Sequence, residues 1–141
     1  MKACVVDASL VAAAFFREPC AEAAQEVLTA NRPLYAPDLI SAEFGNVVWK
    51  RCRRGEITAE EAAGLMADFL RLPLEITPTA ELADVALQLA LRTGRTVYDC
   101  LYLALAVRTN GVLVTADKRL VNALAGSPLA KYVTGIDPLR R

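Results

Sequence analysis

Four acidic residues stand at the edges of apolar runs, where an isolated negative charge is costly. They are Asp7 after Ala3–Val6, Glu43 within Leu39–Val48, Asp99 after Thr96–Tyr98, and Asp117 after Val112–Ala116. The chain of 141 residues contains no histidine. Carboxylate oxygens are ligands that Mg²⁺ and Mn²⁺ take in proteins, whereas imidazole and thiolate suit softer ions. The four acids therefore predict a magnesium or manganese site built from carboxylates.

Carboxylates that meet from separate segments repel one another unless a cation binds among them. The chemistry that needs such a cluster is the transfer or hydrolysis of phosphate esters. The absence of histidine excludes a histidine acid–base ribonuclease and a Ser-His-Asp hydrolase. Neither G-x-x-x-x-G-K-[ST] nor G-x-G-x-x-G occurs, so nucleotide binding by a glycine-rich loop has no support.

Short apolar runs alternate with helical patterns along almost the whole chain. The predicted strands are Ala3–Val6, Leu34–Ala36, Leu74–Thr77, Val112–Thr115 and a weaker run at Tyr132–Thr134. This order predicts right-handed crossovers and hence an α/β fold, with three α/β/α layers and a short, mostly parallel central sheet. We expect residues 1–141 to form a single domain.

Asp7, Asp99 and Asp117 each follow a segment that is predicted to be extended. The carboxyl ends of parallel strands form the crevice in which ligands bind, so Asp7 and Asp117 converge there if their strands are neighbours. Asp is also a preferred N-cap, and each residue taken singly is equally well explained as a helix cap. A hydroxyl group lies two positions from each of two aspartates: Ser9 can orient the Asp7 carboxylate, and Thr115 can orient that of Asp117. These hydroxyls favour a functional site over simple helix caps.

Glu43 is harder to explain as a structural residue. Its predicted helix carries an apolar stripe that includes Ile40 and Val47, and Glu43 lies on the flank of that stripe. A buried, unpaired carboxylate is costly, and a nearby cation removes the difficulty. Asn46, one turn further on, can reach the same place. The alternative is a surface ion pair with Lys50, but the two residues are seven positions apart, which is too far for an i,i+4 pair.

The charge balance is neutral overall but locally uneven. The chain has 16 lysines and arginines and 16 aspartates and glutamates, so 12 acids remain against 16 bases if four acids form one metal site. A bound cation would add positive charge where a phosphate approaches. The basic run 50–54 is explained most simply as the solvated C-terminus of a helix.

Cysteine spacing and hydropathy exclude further classes. The cysteines, at positions 4, 20, 52 and 100, show no C-x-x-C spacing and have no histidine partners, so a zinc site is not expected. Asp7 interrupts the apolar N-terminal segment, which argues against a secretory signal. No apolar run reaches the roughly 18 residues of a membrane span. We expect a cytoplasmic protein that does not bind a membrane.

Four segments hold the acids and their neighbours at a characteristic spacing. They are V-V-D-A-S at 5–9, P-D-L-I-S-A-E-F-G-N-V-V at 37–48, T-V-Y-D-C-L-Y-L-A-L-A at 96–106 and V-T-A-D-K-R-L at 114–120. In order and spacing the chain resembles the PIN-domain ribonucleases, and among them the VapC toxins of bacterial and archaeal toxin–antitoxin pairs. The resemblance covers nearly the whole chain.

The resemblance implies an endoribonuclease that depends on Mg²⁺ or Mn²⁺. The matching metal-binding and catalytic acids are Asp7, Glu43, Asp99 and Asp117, and the matching supporting polar residues are Ser9, Asn46 and Thr115. It also implies a homodimer, a cognate antitoxin whose C-terminal segment covers the site, and a structured RNA substrate, commonly transfer RNA. The chain shows no extra domain, which favours a stand-alone toxin over a larger processing nuclease.

Basic residues and one apolar helix are candidates for the implied contacts. Candidate RNA-binding side chains are Arg51, Arg54, Arg92, Arg95 and Lys118. The predicted helix over 80–93 is apolar nearly all round, which indicates burial on more than one side. Either a second copy of the chain or an ordinary position in the core would account for that burial.

Other functions stay open on the sequence alone. A non-catalytic α/β module that binds a partner would keep the acids as helix caps, and a PIN nuclease could act in RNA processing instead of as a toxin. A phosphotransfer domain needs a lysine near its acceptor aspartate at a strand end. Lys118 is the only candidate, and it adjoins its own aspartate.

Overall fold

A computed structural model describes residues 2–136 of the chain. Its strands are β1 Cys4–Val6, β2 Leu34–Pro37, β3 Leu74–Thr77, β4 Val112–Thr115 and β5 Val133–Gly135. They form one sheet in the order β3-β2-β1-β4-β5, in which every neighbouring pair is parallel. The predicted three-layer α/β/α fold is confirmed.

The connections between the strands are mainly helical. The helices are α1 Ala8–Phe15, α2 Ala21–Thr29, α3 Leu39–Arg53, α4 Ala59–Leu70, α5 Thr79–Thr93, α6 Val97–Arg108 and α7 Lys118–Leu124. A short 3₁₀ helix, Ala130–Tyr132, leads into β5. Within residues 2–136, no helix combines the length and the hydropathy that crossing a bilayer requires.

Strands β1 and β4 lie side by side at the middle of the sheet. Their register pairs Val6, the last residue of β1, with Val114, the last but one of β4. Asp7 follows β1 directly, and Asp117 lies two residues beyond β4. The two aspartates were predicted to converge on the carboxyl edge of the sheet if β1 and β4 are neighbours. The structure confirms that they are neighbours.

Several helices begin at residues whose side chains cap them. Thr58 accepts the N–H of Glu61 at the start of α4, and the Glu61 side chain accepts the N–H of Thr58, which completes a capping box. Asp7 accepts the N–H of Leu10 at the start of α1, and Asp117 accepts N–H bonds from the first turn of α7. Asp7 and Asp117 therefore do cap helices, as the preference of aspartate for the N-cap position suggested.

Helix α6 begins earlier than the sequence predicted. The expectation that Asp99 follows an extended stretch and opens the helix is wrong, because the helix starts at Val97 and is capped by Thr96. The Thr96 hydroxyl accepts the N–H of Asp99 at 3.1 Å. The β-branched side chains of Thr96 and Val97 favour extended backbone locally, but the cap outweighs that preference. Asp99 therefore lies in the first turn of the helix.

Helix α6 occupies the centre of the core. Every residue from 100 to 106 is buried, and the helix contacts α5 as well as β1, β2 and β4. Phe44 of α3 packs against Phe15 of α1 and Phe69 of α4 in the same apolar core. Side chains that α6 presents at the sheet edge are therefore held by a helix with little freedom to move.

Helix α5 is buried on one side only. Its inward stripe is Leu82, Ala86 and Leu89, whereas Leu87 and Leu91 are exposed. Of the two explanations left open for its apolar composition, an ordinary core position does not describe the single chain, because the outer face of the helix is exposed. Burial of its outer face by a second chain stays a prediction.

A glycine is required where the chain enters β4. A Cβ at Gly111 would overlap the carbonyl oxygen of Ala3 and lie 2.9 Å from the carbonyl carbon. That same oxygen accepts the N–H of Val112 at 2.9 Å, at the start of the β1–β4 pairing. A side chain at position 111 would therefore force apart the two strands that position Asp7 and Asp117.

Candidate active site

The four predicted acids surround one cavity beyond the carboxyl edge of β1. The cavity has a volume of about 160 Å³ and is lined by Asp7, Ala8, Ser9, Glu43, Asp99, Tyr102, Asp117 and Leu120. The acids come from four different elements: the end of β1, the second turn of α3, the first turn of α6 and the cap of α7. Tertiary folding thus brings together residues that are far apart in the sequence, up to the 110 positions that separate Asp7 from Asp117.

Asp7 is the most deeply held of the four carboxylates, with 8% of its surface exposed. Its Oδ1 accepts hydrogen bonds from the Ser9 hydroxyl at 2.7 Å and from the Leu10 N–H at 3.0 Å, and its Oδ2 accepts one from the Thr115 hydroxyl at 2.5 Å. Burial raises the pKa of Asp7, these hydrogen bonds oppose the rise, and the charge of Asp117 adds to it. The same side chain therefore caps α1 and lines the acid cavity.

Ser9 and Thr115 connect the start of α1 to the end of β4. Their hydroxyl oxygens are 3.1 Å apart. The Ser9 hydroxyl accepts the N–H of Ala116, and the Thr115 hydroxyl accepts the N–H of Asp117. These bonds fix the turn that carries Asp117 relative to Asp7. Ser9 donates to the Asp7 carboxylate as expected, whereas Thr115 was expected to orient the Asp117 carboxylate and instead donates to that of Asp7.

Glu43 has a protein partner that sequence reasoning missed. The Tyr102 hydroxyl donates a hydrogen bond to Glu43 Oε1 at 2.5 Å. Burial raises the pKa of Glu43, the Tyr102 hydrogen bond opposes the rise, and the charges of Asp7 and Asp99 add to it. A signal for this partner was present, because Tyr102 follows Asp99 by three positions and therefore shares its helix face.

Asp99 is paired with a basic residue of the loop before α6. Arg95 Nη2 lies 3.3 Å from Asp99 Oδ2, and the Arg95 Nε is buried without a hydrogen-bond partner among residues 2–136. Burial raises the pKa of Asp99, the Arg95 guanidinium opposes the rise, and Asp117 adds to it. Arg95 therefore reaches the rim of the acid cluster.

Asn46 does not join the other predicted site residues. It is exposed on α3 and is not among the residues that line the cavity. Each helical residue advances by about 100°, so Asn46 is turned by roughly 200° from Phe44, which is buried in the core. The structure thus places Asn46 on the solvent side of its helix.

Arg51, a candidate for RNA contact, already has structural partners. Its Nη2 lies 2.6 Å from Glu18 Oε2, and its guanidinium stacks on the Phe16 ring with a distance of 4.1 Å to the centroid. This ion pair and cation–π contact join α3 to the segment after α1. The basic run at the end of α3 therefore contributes at least one residue to the fold itself.

The donor set around the cavity fits a hard divalent cation. All four acidic ligand candidates offer carboxylate oxygens, and the supporting groups are hydroxyls. Within residues 2–136, however, no three His, Cys, Asp or Glu side chains already stand close enough to form a ready-made ligand group. The four carboxylates instead line the wall of the cavity, where protein donors hold them.

Two comparisons with known proteins decide the family. Residues 4–125 match the model of the PIN domain. Over 118 residues the chain is 36% identical to Ribonuclease VapC3 of Pyrobaculum aerophilum, which covers 82% of this chain and 90% of that protein. The chain is a PIN-domain protein of the VapC ribonuclease family. The resemblance seen in the sequence is therefore confirmed.

Further relatives agree with this assignment. The PIN-domain chain is 30% identical over 116 residues to Ribonuclease VapC9 of Mycobacterium tuberculosis, covering 82% of this chain and 87% of that one. The crystal structure of PAE2754 from Pyrobaculum aerophilum superposes with a TM-score of 0.67 at 27% identity, over 89% of this chain and 82% of that chain.

A more distant solved structure shares the fold. VapBC2 from Rickettsia felis, bound to a DNA fragment from its promoter, gives a TM-score of 0.65 at 18% identity. That superposition covers 96% of this chain and 99% of the other. At this level of identity the likeness establishes the PIN fold alone.

Proposed function

We propose that this VapC-family protein is an endoribonuclease that depends on Mg²⁺ or Mn²⁺ and acts as the toxin of a toxin–antitoxin pair. The observation that carries the proposal is the convergence of Asp7, Glu43, Asp99 and Asp117 on one cavity at the carboxyl edge of a parallel sheet. The naming of its relatives as VapC ribonucleases supports RNA as the substrate.

Three of the four acids fall into two roles in this proposal. Asp7 is fixed by donors to both of its oxygens, so it sets the position of the cluster. Glu43 and Asp99 each keep a second oxygen with no hydrogen-bond partner among residues 2–136, and those oxygens are available to an ion. When bound, a divalent cation would supply positive charge for the phosphate oxygens and acidify a water molecule.

The electrostatics of the cavity support cation binding. Burial and mutual repulsion raise the pKa values of Asp7, Glu43 and Asp99, which means that the protein disfavours their charged forms. A cation placed among the three carboxylates relieves both penalties, because it is an opposite charge at short range. A cluster that served only to cap helices would not need Glu43, which lies in the second turn of α3.

The test is RNA cleavage with a controlled metal supply. Purified protein is expected to cleave RNA in Mg²⁺ or Mn²⁺, leaving 5′-phosphate ends, and to lose at least about 100-fold in rate in a chelator (about 2.7 kcal/mol). Asp99→Asn is expected to lose a similar factor, since it removes a carboxylate from the cavity. Cleavage rates are measured on a labelled structured RNA, with transfer RNA as the first choice.

Asp68→Asn is the matched control for this experiment. Asp68 is an exposed aspartate on α4 whose one ion pair among residues 2–136 is with Arg71 on the surface, so its loss is expected to leave cleavage unchanged. Undiminished cleavage in the chelator, or in Asp99→Asn, would show that the acids are not a metal-dependent catalytic site.

The proposed partners follow from the same assignment. We propose a cognate antitoxin that covers the acid cavity, a cytoplasmic location where RNA is available, and a homodimer. Exposed apolar side chains support the homodimer. The large ones that lie on α5 or in the first turn of α6 are Val85, Leu87, Leu91, Val97 and Tyr98. Leu87 and Leu91 are one turn apart and therefore form one patch.

A charge placed in this patch is expected to separate the dimer. Leu91 is 79% exposed in the single chain, so Leu91→Glu should leave the fold intact and put an unpaired charge in the proposed interface. Sedimentation velocity is expected to show a dimer for the parent protein and a monomer for the variant at the same concentration. Leu70→Glu changes another leucine, 65% exposed on α4, and is expected to stay dimeric. A monomeric parent protein, or an unchanged Leu91→Glu dimer, would contradict this interface.

A further inference from the structure

Tyr102 is a buried tyrosine whose hydroxyl faces the acid cavity. Only 3% of its surface is exposed, and its ring lies among the apolar residues of the core cluster. Its hydroxyl is 2.5 Å from Glu43 Oε1, a separation typical of an O–H donor bonded to an ionised carboxylate. The hydrogen bond joins α6 to α3 across 59 positions of sequence.

Glu43 depends on this hydrogen bond more than Asp7 or Asp117 depends on any single bond. Asp7 and Asp117 both accept backbone N–H bonds, because each caps a helix. Glu43 lies in the second turn of α3, and within residues 2–136 no backbone N–H donates to its carboxylate. Among residues 2–136, Tyr102 is the one donor to the Glu43 carboxylate.

The hydrogen bond restricts the Glu43 side chain, and not the Tyr102 side chain. A glutamate side chain has three rotatable bonds, and a carboxylate on the flank of a helix can adopt several rotamers. The Tyr102 ring has no such freedom, since it is packed in the core. Its bond to Oε1 fixes the Glu43 carboxylate at the cavity wall and leaves Oε2 without a described partner.

We propose that Tyr102 is a positioning residue that fixes Glu43 for the divalent cation, an inference that rests on the proposed function. Hydrogen bonds from surrounding groups commonly orient metal-ligating carboxylates and raise metal affinity. Tyr102 acts through Glu43 and does not itself hold the ion. Asp99 lies one turn earlier on the same helix. Helix α6 therefore positions two of the four acids: it carries Asp99, and it holds Glu43 through the Tyr102 hydroxyl.

The test is the Mn²⁺ affinity of Tyr102→Phe, measured by calorimetry on the metal-free protein. Phe keeps the ring in the core and removes only the hydroxyl. Affinity is expected to fall by about 10- to 100-fold, and cleavage is expected to recover to within a few-fold of the parent rate at saturating Mn²⁺. Tyr132→Phe, which removes the hydroxyl of a tyrosine that does not line the acid cavity, should leave the affinity unchanged.

A second variant separates positioning from a general effect on the fold. Glu43→Asp keeps the charge but draws the carboxylate away from the Tyr102 hydroxyl. In that background Tyr102→Phe is expected to change Mn²⁺ affinity by less than about twofold. The proposal would be overturned if Tyr102→Phe lost the same factor in Mn²⁺ affinity in both backgrounds. It would also be overturned if Tyr102→Phe bound Mn²⁺ as tightly as the parent protein, or if the variant lost its fold. Failure of the parent protein to bind Mn²⁺ would instead overturn the proposed function.

Discussion

Asp7→Asn is expected to abolish RNA cleavage and at the same time to stabilise the metal-free protein. Asparagine keeps an oxygen that can accept the bonds from Ser9 and the Leu10 N–H, and its amide can donate to the Thr115 hydroxyl. The variant therefore retains the helix cap and removes a charge that burial disfavours. We expect a loss of at least about 100-fold in cleavage rate and a gain in the free energy of unfolding in chelator.

The pH dependence of that gain follows from the raised pKa of Asp7. Its value in the unfolded chain is near the ordinary 3.8, and burial places the folded value above this. The stability that the protonated group contributes is therefore complete below the unfolded pKa and is lost as pH rises through the folded pKa. Urea unfolding in chelator at a series of pH values is expected to show the advantage of Asp7→Asn growing above about pH 4 and then levelling off.

Added Mn²⁺ should reverse the order of stability. The parent protein is expected to gain more than the variant, because an ion that binds the folded state stabilises it in proportion to its affinity. A variant that unfolds more easily than the parent in chelator across the whole pH range would show that the Asp7 charge is not disfavoured by its burial. Retained cleavage in Asp7→Asn would remove Asp7 from the catalytic site.

Gly111→Ala is expected to cause the largest loss of stability of any substitution discussed. The new Cβ would meet the backbone of Ala3, which cannot turn away as a flexible side chain can. Relief requires separating β1 from β4 at the start of their pairing, where Ala3 accepts the Val112 N–H. We expect a loss of about 3 kcal/mol or more in the free energy of unfolding, measured by urea denaturation.

Gly64→Ala is the matched control. Gly64 lies in the exposed part of α4, and a Cβ there has no neighbour within 4 Å. Alanine at an open helical position is expected to add about 0.5–1 kcal/mol, since glycine loses more backbone freedom on folding. Similar free energies of unfolding for Gly111→Ala and the parent would mean that the two strands can part at this point without penalty.

The sheet and the placement of two acids could be predicted because their signals are local. Four short apolar runs and the patterns between them indicated parallel strands joined by helices. Asp7 comes directly after one such run, and Asp117 comes shortly after another. The geometry of a parallel sheet was therefore enough to predict that both lie at the same edge. The same reasoning misplaced the start of α6, because two β-branched residues stand just before Asp99 and the cap at Thr96 was not weighed against them.

The partners of the acids could not be predicted because they depend on how helices pack. Glu43 and Tyr102 lie on different helices, and no local pattern specifies which turn of α6 faces which turn of α3. Asn46 was expected near Glu43 from helical spacing alone. The buried side of α3 is set by Phe44 and its neighbours, however, and this turns Asn46 to solvent.

The pairing of β1 with β4 also has a consequence for synthesis of the protein. Cys4 pairs with Val112, so the strand that bears Asp7 gains this neighbour only after four-fifths of the polypeptide has been translated. Asp117, and the Thr115 hydroxyl that holds Asp7, arrive with the same late segment. A growing chain on the ribosome therefore lacks a complete acid cavity until near the end of translation. The proposed nuclease thus has no finished active site while its N-terminal half emerges beside ribosomal RNA.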